Sequence, residues 1–345
     1  MLTLGYVGNG KSVNRYHLPF VLQRKENYKV KTVYNRTISH TKWAKIDGIY
    51  YTDQLNELMQ DQDIDVVVVC TKQDSHYQYA KMALDHDKHV LVEKPFMMTS
   101  EETKAIFDYA KEKGKLVQCY QNRRFDSDFL TVQKVIESGK LGDLYEMEMH
   151  FDYFRPEDPM KSTSFQYYDS YLYGHGCHTI DQVISYFGKP NQITYDVRCL
   201  CGKNKMSDYF DLDLFYGTQF KISVKSSYFR IHRRPSFLIY GKRGMFVKAN
   251  PDRQEQDLKK FYLPDHEDFG IDDVEDYGTI TFMDEQGIYH EEKVISEKGD
   301  YGRVYDCLYE TLVYGKASNV PPEETMWLMD ILETGAKRCE KIYSF

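Results

Sequence analysis

The run Val66-Val67-Val68-Val69-Cys70, at the heart of Ile64–Cys70, constrains the fold more than any other segment. Its β-branched residues leave no polar face, so the strand it forms must be buried on both sides. That is the position of a central strand in a parallel sheet covered by helices. The flanking segments agree. Leu2–Val7, Tyr28–Tyr34, Lys88–Val92 and Leu116–Tyr120 are short apolar strands. Between them lie helical patterns at Tyr16–Arg24, Leu55–Met59 and Ser75–Asp85, and a fourth that Thr99-Ser100-Glu101-Glu102 opens as a capping box and Gly114 closes. Strands alternating with helices predict a doubly wound α/β domain.

The pattern changes near residue 122. A helix over Phe129–Glu137 ends at Gly139, and then Tyr145, Met147, Met149, Phe151 and Tyr153 alternate with Glu146, Glu148, His150 and Asp152. Period-2 alternation predicts a strand with one wet face, typical of antiparallel sheets. It recurs at Ile193–Val197, Phe210–Leu214, Phe220–Val224 and Ile288–Val294, with helices at His178–Phe187 and Glu323–Glu340. The 345 residues therefore divide into a doubly wound, Rossmann-type domain, 1–122, and an α+β domain, 123–345, on a largely antiparallel sheet. The last helix, 323–340, is a candidate for packing back on the first domain.

The net charge of −8 argues against nucleic-acid and membrane-surface partners, which call for a basic footprint. The longest apolar run is far short of the ~20 residues of a membrane helix. The N-terminus reads directly as a strand rather than a signal peptide, and the seven cysteines are scattered with no CxxC pair, so a reduced, cytoplasmic protein is expected. Aromatic residues make up 15% of the chain, with 30 Tyr, several of them crowded before His178: Tyr153, Phe154, Phe165, Tyr167, Tyr168, Tyr171 and Tyr173. Such rings stack on sugar C–H faces, or cover a sheet or dimer interface.

Gly5-Tyr6-Val7-Gly8-Asn9-Gly10-Lys11-Ser12 satisfies two patterns. As G-x-x-x-x-G-K-S it is a P-loop, with Lys11 on phosphates and Ser12 on magnesium. As Gly8-x-Gly10 after a strand it is a dinucleotide turn that places pyrophosphate on a helix N-terminus. The first lacks a metal-holding acid after Ile64–Cys70; the second lacks its third glycine, since Val13 stands there. The dinucleotide reading is preferred. After the second strand, Asn35 removes the carboxylate that would bind the ribose 2′-hydroxyl of NAD, and Arg36 offers a cation to a 2′-phosphate. NADP is the preferred cofactor and NAD the alternative.

Two polar clusters follow the next strands: Thr71 with His76, and Glu93-Lys94-Pro95 after Val90-Leu91-Val92. Ligands of open α/β sheets bind outside the carboxyl ends of the strands. A partly desolvated lysine there can donate to, or accept from, a substrate oxygen.

Taken in order, Gly8-x-Gly10, Thr71 with His76, and Lys88–Pro95 resemble the glucose–fructose oxidoreductase/inositol dehydrogenase family (Gfo/Idh/MocA), and within it a bacterial branch of uncharacterised oxidoreductases. Asn122-Arg123-Arg124-Phe125 and Gly139-Lys140-Leu141-Gly142 resemble its interdomain segment, and Gly176-Cys177-His178-Thr179-Ile180-Asp181 its G-x-H-x-x-D motif. The resemblance implies a pyridine-nucleotide oxidoreductase acting on a small molecule, a sugar, polyol or related carbonyl, in which Lys94 orients the reacting oxygen and His178 is the general acid/base. Gly8, Gly10, Lys11, Ser12, Asn35, Arg36, Thr71, His76, Glu93 and Lys94 are the candidate cofactor contacts. Arg124, Tyr153, Tyr173 and Asp181 are the candidate substrate contacts. A homo-oligomer, dimer or larger, is expected, and no metal.

One departure matters. The family commonly carries Asp-x-x-x-His, and four residues before His178 stands Gly174. Asp181, His175 and Tyr173 are the candidate replacements. The same gap motivates an alternative, a nucleotide-sensing or regulatory protein on this fold that has lost turnover. Tyr77-x-x-x-Lys81 and Tyr109-x-x-x-Lys113 match the pair used by short-chain dehydrogenases, but they lie in helices with no proton partner and are set aside.

Overall fold

Six parallel strands form the first sheet: β1 (Leu2–Val7), β2 (Tyr28–Tyr34), β3 (Tyr50–Thr52), β4 (Val66–Val69), β5 (His89–Val92) and β6 (Val117–Cys119). They are ordered β3-β2-β1-β4-β5-β6, the doubly wound arrangement whose order reverses between β1 and β4. All four valines of β4 are fully buried, as a strand covered on both faces requires. The computed structural model describes residues 1–37, 42–163, 166, 168–202 and 204–342.

Helices α1 (Leu18–Val21), α2 (Leu55–Met59), α3 (His76–Asp85) and α4 (Ser100–Lys113) connect these strands. The Thr99 hydroxyl accepts from Glu102 N at 3.0 Å and Gly114 closes α4 in the left-handed region, the capping the sequence predicts. β3 was not expected: three residues, the first of them exposed, carry no usable periodicity.

The second sheet has eight strands: β7 (Leu144–His150), β8 (Gln192–Arg198), β9 (Tyr209–Tyr216), β10 (Phe220–Ser227), β11 (Phe237–Gly241), β12 (Gly244–Lys248), β13 (Gly278–Met283) and β14 (Tyr289–Val294). Their order is β14-β13-β12-β11-β7-β10-β9-β8, antiparallel except for the β7–β10 pair. Met147 and Met149 of β7 are buried, while Glu146 pairs across strands with Lys221 at 3.3 Å. Helices α5 (Ser127–Glu137), α6 (Glu157–Lys161) and α7 (Cys177–Phe187) belong to the same part of the chain; Phe129 of α5 stacks on Phe237 of β11. The sequence reading passed over β11–β13. In β12 the reason is physical: Lys248 occupies an inward position, where Asp272 meets its ammonium at 2.6 Å with both side chains buried, so the apolar alternation is broken.

The chain divides into two compact units between Asn122 and Arg123. Residues 255–269 and 301–329 fold with the first unit, and the rest with the second. Three helices complete the chain: α8 (Arg253–Lys259), α9 (Arg303–Tyr314) and α10 (Pro322–Ile342), of which α10 is counted in the first unit to Met329 and in the second from Asp330. Helix α9 is anchored to the first sheet: Arg24 grips Asp306 at 2.7 and 2.8 Å, and Tyr28 donates to the Tyr305 carbonyl at 2.7 Å.

Candidate active site

Strand β1 ends at Val7, and the loop after it passes directly over the end of β4. Gly8 has φ +117°, and a Cβ there would lie 2.4 Å from the Cys70 carbonyl oxygen. No side chain fits this approach. Gly10 is exposed with open space where its Cβ would stand. One glycine thus lets two strand ends meet and the other leaves room above them. Val13, in place of a third glycine, is fully buried in a π-helical turn, Val13–His17. Such turns are frequent at functional sites.

That turn directs His17 inward, into a hydrogen-bonded chain that joins the glycine loop to Glu-Lys-Pro. His17 Nε2 lies 3.1 Å from Glu93 Oε1, and Nδ1 lies 2.6 Å from the Tyr305 hydroxyl. A carboxylate can only accept, so Nε2 carries a proton toward Glu93, while Nδ1 meets the Tyr305 hydroxyl, which is 2.8 Å from that of Tyr6. The Ser12 hydroxyl also donates to Glu93 Oε1, and Glu93 Oε2 accepts Lys94 N at 3.0 Å. Burial works against the ionised form of Glu93, but the His17 bond and the Lys94 charge hold it below the usual carboxylate range. His17, Cys70 and Glu93 bring potential metal-ligating atoms within 4.8 Å of one another. Imidazole and carboxylate there already satisfy each other, while burial and the Glu93 charge push the Cys70 thiol up and keep it protonated. The group acts as a clasp rather than an open ligand set.

His76 is equally committed. Its Nδ1 faces the carbonyls of Pro95 and Phe96 at 3.1 and 3.0 Å, and Nε2 faces that of Thr71 at 3.2 Å, so it fastens two loops together. Burial lowers its pKa. The Thr71 hydroxyl accepts from Ser75 at 2.8 Å. Lys94 is partly exposed beyond β5 and the Lys94–Pro95 peptide is cis. Beyond β2, Asn35 Nδ2 bonds the Thr37 carbonyl at 3.1 Å, while Arg36 and Lys11 are exposed and have no carboxylate partner among the described residues.

Sequence reasoning missed Gln121. It follows β6 at the carboxyl edge of the sheet, is 1% exposed, and neither its amide nitrogen nor its oxygen has a hydrogen-bond partner among the described residues. Buried polar groups are nearly always satisfied, so this amide calls for a water or a ligand to complete it. The signal in the sequence was position alone: a polar residue directly after a strand end. A cradle that excludes a Cβ and an orphaned amide at the same sheet edge both suit a dinucleotide.

In the second unit, α7 is also entered through a π-helical turn, Leu172–Gly176. His178 stands in its first turn, 5% exposed. Each Asp181 carboxylate oxygen accepts from Arg124: Nε to Oδ2 at 2.8 Å and Nη2 to Oδ1 at 2.6 Å. These two candidate substrate contacts are each other's partners. Gly174 has open space at its Cβ position and ordinary backbone angles.

Of the described members of the aromatic cluster, Tyr153, Tyr171 and Tyr173 are buried. Tyr171 and Tyr173 are fully buried, and Tyr171 stacks on Tyr228 at 3.9 Å. His175 packs among Tyr171, Tyr153, Tyr228 and Phe151, with ring centroids 4.8 to 5.9 Å away. Tyr153 carries the Arg155 and Arg233 guanidinium groups over its ring at 4.1 and 5.3 Å. Phe154 is exposed, and Phe165 and Tyr167 lie outside the described residues. The two Tyr/Lys matches share one helix-packing contact, in which Lys81 lies 4.6 Å over the Tyr109 ring and pairs with Asp85 at 3.0 Å.

Residues 2–121 match the family model described as "Oxidoreductase family, NAD-binding Rossmann fold", and residues 129–247 match "GFO/IDH/MocA C-terminal domain". The chain is 44% identical to the Escherichia coli protein named uncharacterized oxidoreductase YhhX, over 97% of this chain and 96% of that one. It is 31% identical to scyllo-inositol 2-dehydrogenase (NADP(+)) IolW of Bacillus subtilis, over 96% and 92%. A crystal structure of the probable oxidoreductase yhhX superposes with a TM-score of 0.92 at 43% identity, covering 98% of this chain and 97% of that one. An oxidoreductase structure from Bacillus cereus gives 0.90 at 41%, covering 97% and 95%. With both domains matched and the likeness running almost end to end, the chain belongs to the Gfo/Idh/MocA family of oxidoreductases.

Proposed function

We propose that this protein is an NADP-preferring dehydrogenase or reductase of sugars, polyols or related carbonyl compounds, with residues 1–122 binding the dinucleotide and 123–345 the substrate. The observation that carries the reading is the glycine loop clasped to Glu-Lys-Pro through Ser12, Glu93 and His17, beside the unsatisfied amide of Gln121. Gly8, Gly10, Lys11 and Ser12 would hold the pyrophosphate, and Asn35 and Arg36 the 2′-phosphate. A bound nicotinamide supplies a carbon that gives or takes hydride. Lys94 orients and polarises the substrate oxygen, and its turn is fixed by Glu93 and His76. His178 exchanges the substrate proton. The name of IolW, an NADP-linked polyol dehydrogenase, supports the same substrate and cofactor class. From the sequence alone we assign the protein to the cytoplasm, as a homo-oligomer.

The test is a spectrophotometric panel of sugars, polyols and small carbonyls with both cofactors. We expect kcat/KM at least tenfold higher with NADP(H); a preference for NAD(H) overturns the Asn35/Arg36 assignment. Lys94→Ala should abolish turnover, and His178→Ala should reduce it ~10²–10⁴-fold. Gly174, standing where the family has a carboxylate, favours one second reading, a nucleotide sensor. Tight NADPH binding without turnover of any compound would select it.

A further inference from the structure

Cys199 follows β8, and Cys339 lies near the end of α10, 140 residues later. Their sulfur atoms are 3.3 Å apart in the interior of the second unit, with the residues 4% and 0% exposed. The Cys199 backbone leads into a pinned turn: Asp208, fully buried, accepts Leu200 N at 2.9 Å and Cys201 N at 3.1 Å. Two thiols held this close need to approach by little more than an ångström to reach the ~2.05 Å of a disulfide. Nothing in the proposed reaction uses either of them.

We propose that Cys199 and Cys339 are a redox modification site, at which a hydroperoxide closes a disulfide that fastens the last helix to the end of β8. The Cys199 thiolate attacks the peroxide, the O–O bond breaks, and a sulfenic acid forms as the alcohol or water leaves. The Cys339 sulfur then attacks the sulfenic sulfur, the S–S bond forms, and the oxygen departs as water. In sum, two thiols lose two electrons and two protons, and one ROOH becomes ROH and water. A dithiol reverses the step. Either thiol can donate to the other across this contact; a proton held on Cys339 favours the thiolate at Cys199 and makes Cys199 the attacking sulfur. Because the two sulfurs touch, capture of the sulfenic acid competes with its further oxidation.

The experiment treats the intact protein with hydrogen peroxide, then counts thiols after denaturation. We expect seven thiols to fall to five and dithiothreitol to restore seven. Peptide mapping without reduction should yield one linked pair, with fragmentation assigning the bond to Cys199 and Cys339. The bridge spans a loop of 140 residues, so the melting temperature should rise by about 5 °C or more. Cys339→Ser should yield no linked pair under the same treatment, and dimedone should trap a sulfenic acid at Cys199. An unchanged count of seven overturns the proposal, as does a bond from Cys199 to Cys201 or between two chains. The thiol count and the peptide map use the unsubstituted protein and do not depend on how a variant folds.

Discussion

Arg124 and Asp181, 57 residues apart in sequence, are joined by two parallel hydrogen bonds in the interior of the second unit. Both side chains are almost wholly buried, 8% and 2% exposed. The pair ties the loop after residue 122 to helix α7, the element that carries His178, and Gln182 adds a bond to the Arg123 carbonyl at 2.7 Å. Asp181 therefore spends its charge on Arg124.

Removing one partner leaves the other charged and buried. Asp181→Ala should destabilise the protein by ~3–5 kcal/mol. Arg124→Ala should cost a similar amount, and the double variant less than the sum. Urea unfolding of the four proteins checks this; single costs below 1 kcal/mol would contradict a buried ion pair.

Glu93→Gln keeps the shape of the clasp and removes its charge. Loss of a charged hydrogen-bond partner predicts a decrease of ~1.5–3 kcal/mol at pH 7. The sign with pH follows from the depressed pKa of Glu93. A carboxylate ionised more readily in the folded state stabilises fully above its unfolded value, and loses that contribution as pH falls through its lower folded value. The difference between wild type and variant should thus be largest near pH 7 and shrink below about pH 4.5. Urea midpoints across that range measure it.

Gln121→Leu separates a ligand contact from a structural one. The amide has no protein partner among the described residues, so replacing it with an apolar group should leave stability unchanged or raise it by ~1 kcal/mol. The cofactor KM should rise about tenfold. A stability loss with unchanged KM would make Gln121 a structural residue.

Gly8 and Gly174 should respond oppositely to substitution. Gly8→Ala drives a Cβ to 2.4 Å from a backbone oxygen at φ +117°, so cofactor binding, read by NADPH fluorescence, should be lost. Gly174→Asp enters open space at ordinary angles, and its melting temperature should stay within ~2 °C of wild type. If a carboxylate at this place assists His178, turnover should increase.

Much of this was legible in the residues themselves. The valine run, the alternation of strand and helix, the Thr99 cap and the switch to period-2 alternation each act over a few neighbouring residues, and each recurs in the structure. Where local pattern was broken by a distant partner, the reading failed. Lys248 is inward because Asp272 meets it, and α9 is positioned by Tyr305 and Asp306 contacts to Tyr28 and Arg24. The tyrosines before His178 read equally as a stacking surface or as a cover for the sheet, and Tyr171 and Tyr173 are core. An aromatic side chain has the same sequence signature whether it lines a site or fills an interior.

The sequence by itself determined the class of both sheets, the glycine loop, and the Glu-Lys-Pro and His178 motifs, because periodicity and backbone demands are written in adjacent residues. Only the tertiary structure decided which groups are partners. Glu93 belongs to His17, Asp181 to Arg124, and Cys199 to Cys339, across 76, 57 and 140 residues. Gln121 is set apart by having no such partner among the described residues. Hydrogen bonds and ion pairs act over a few ångströms, and chain position does not encode which distant atoms folding brings within that range.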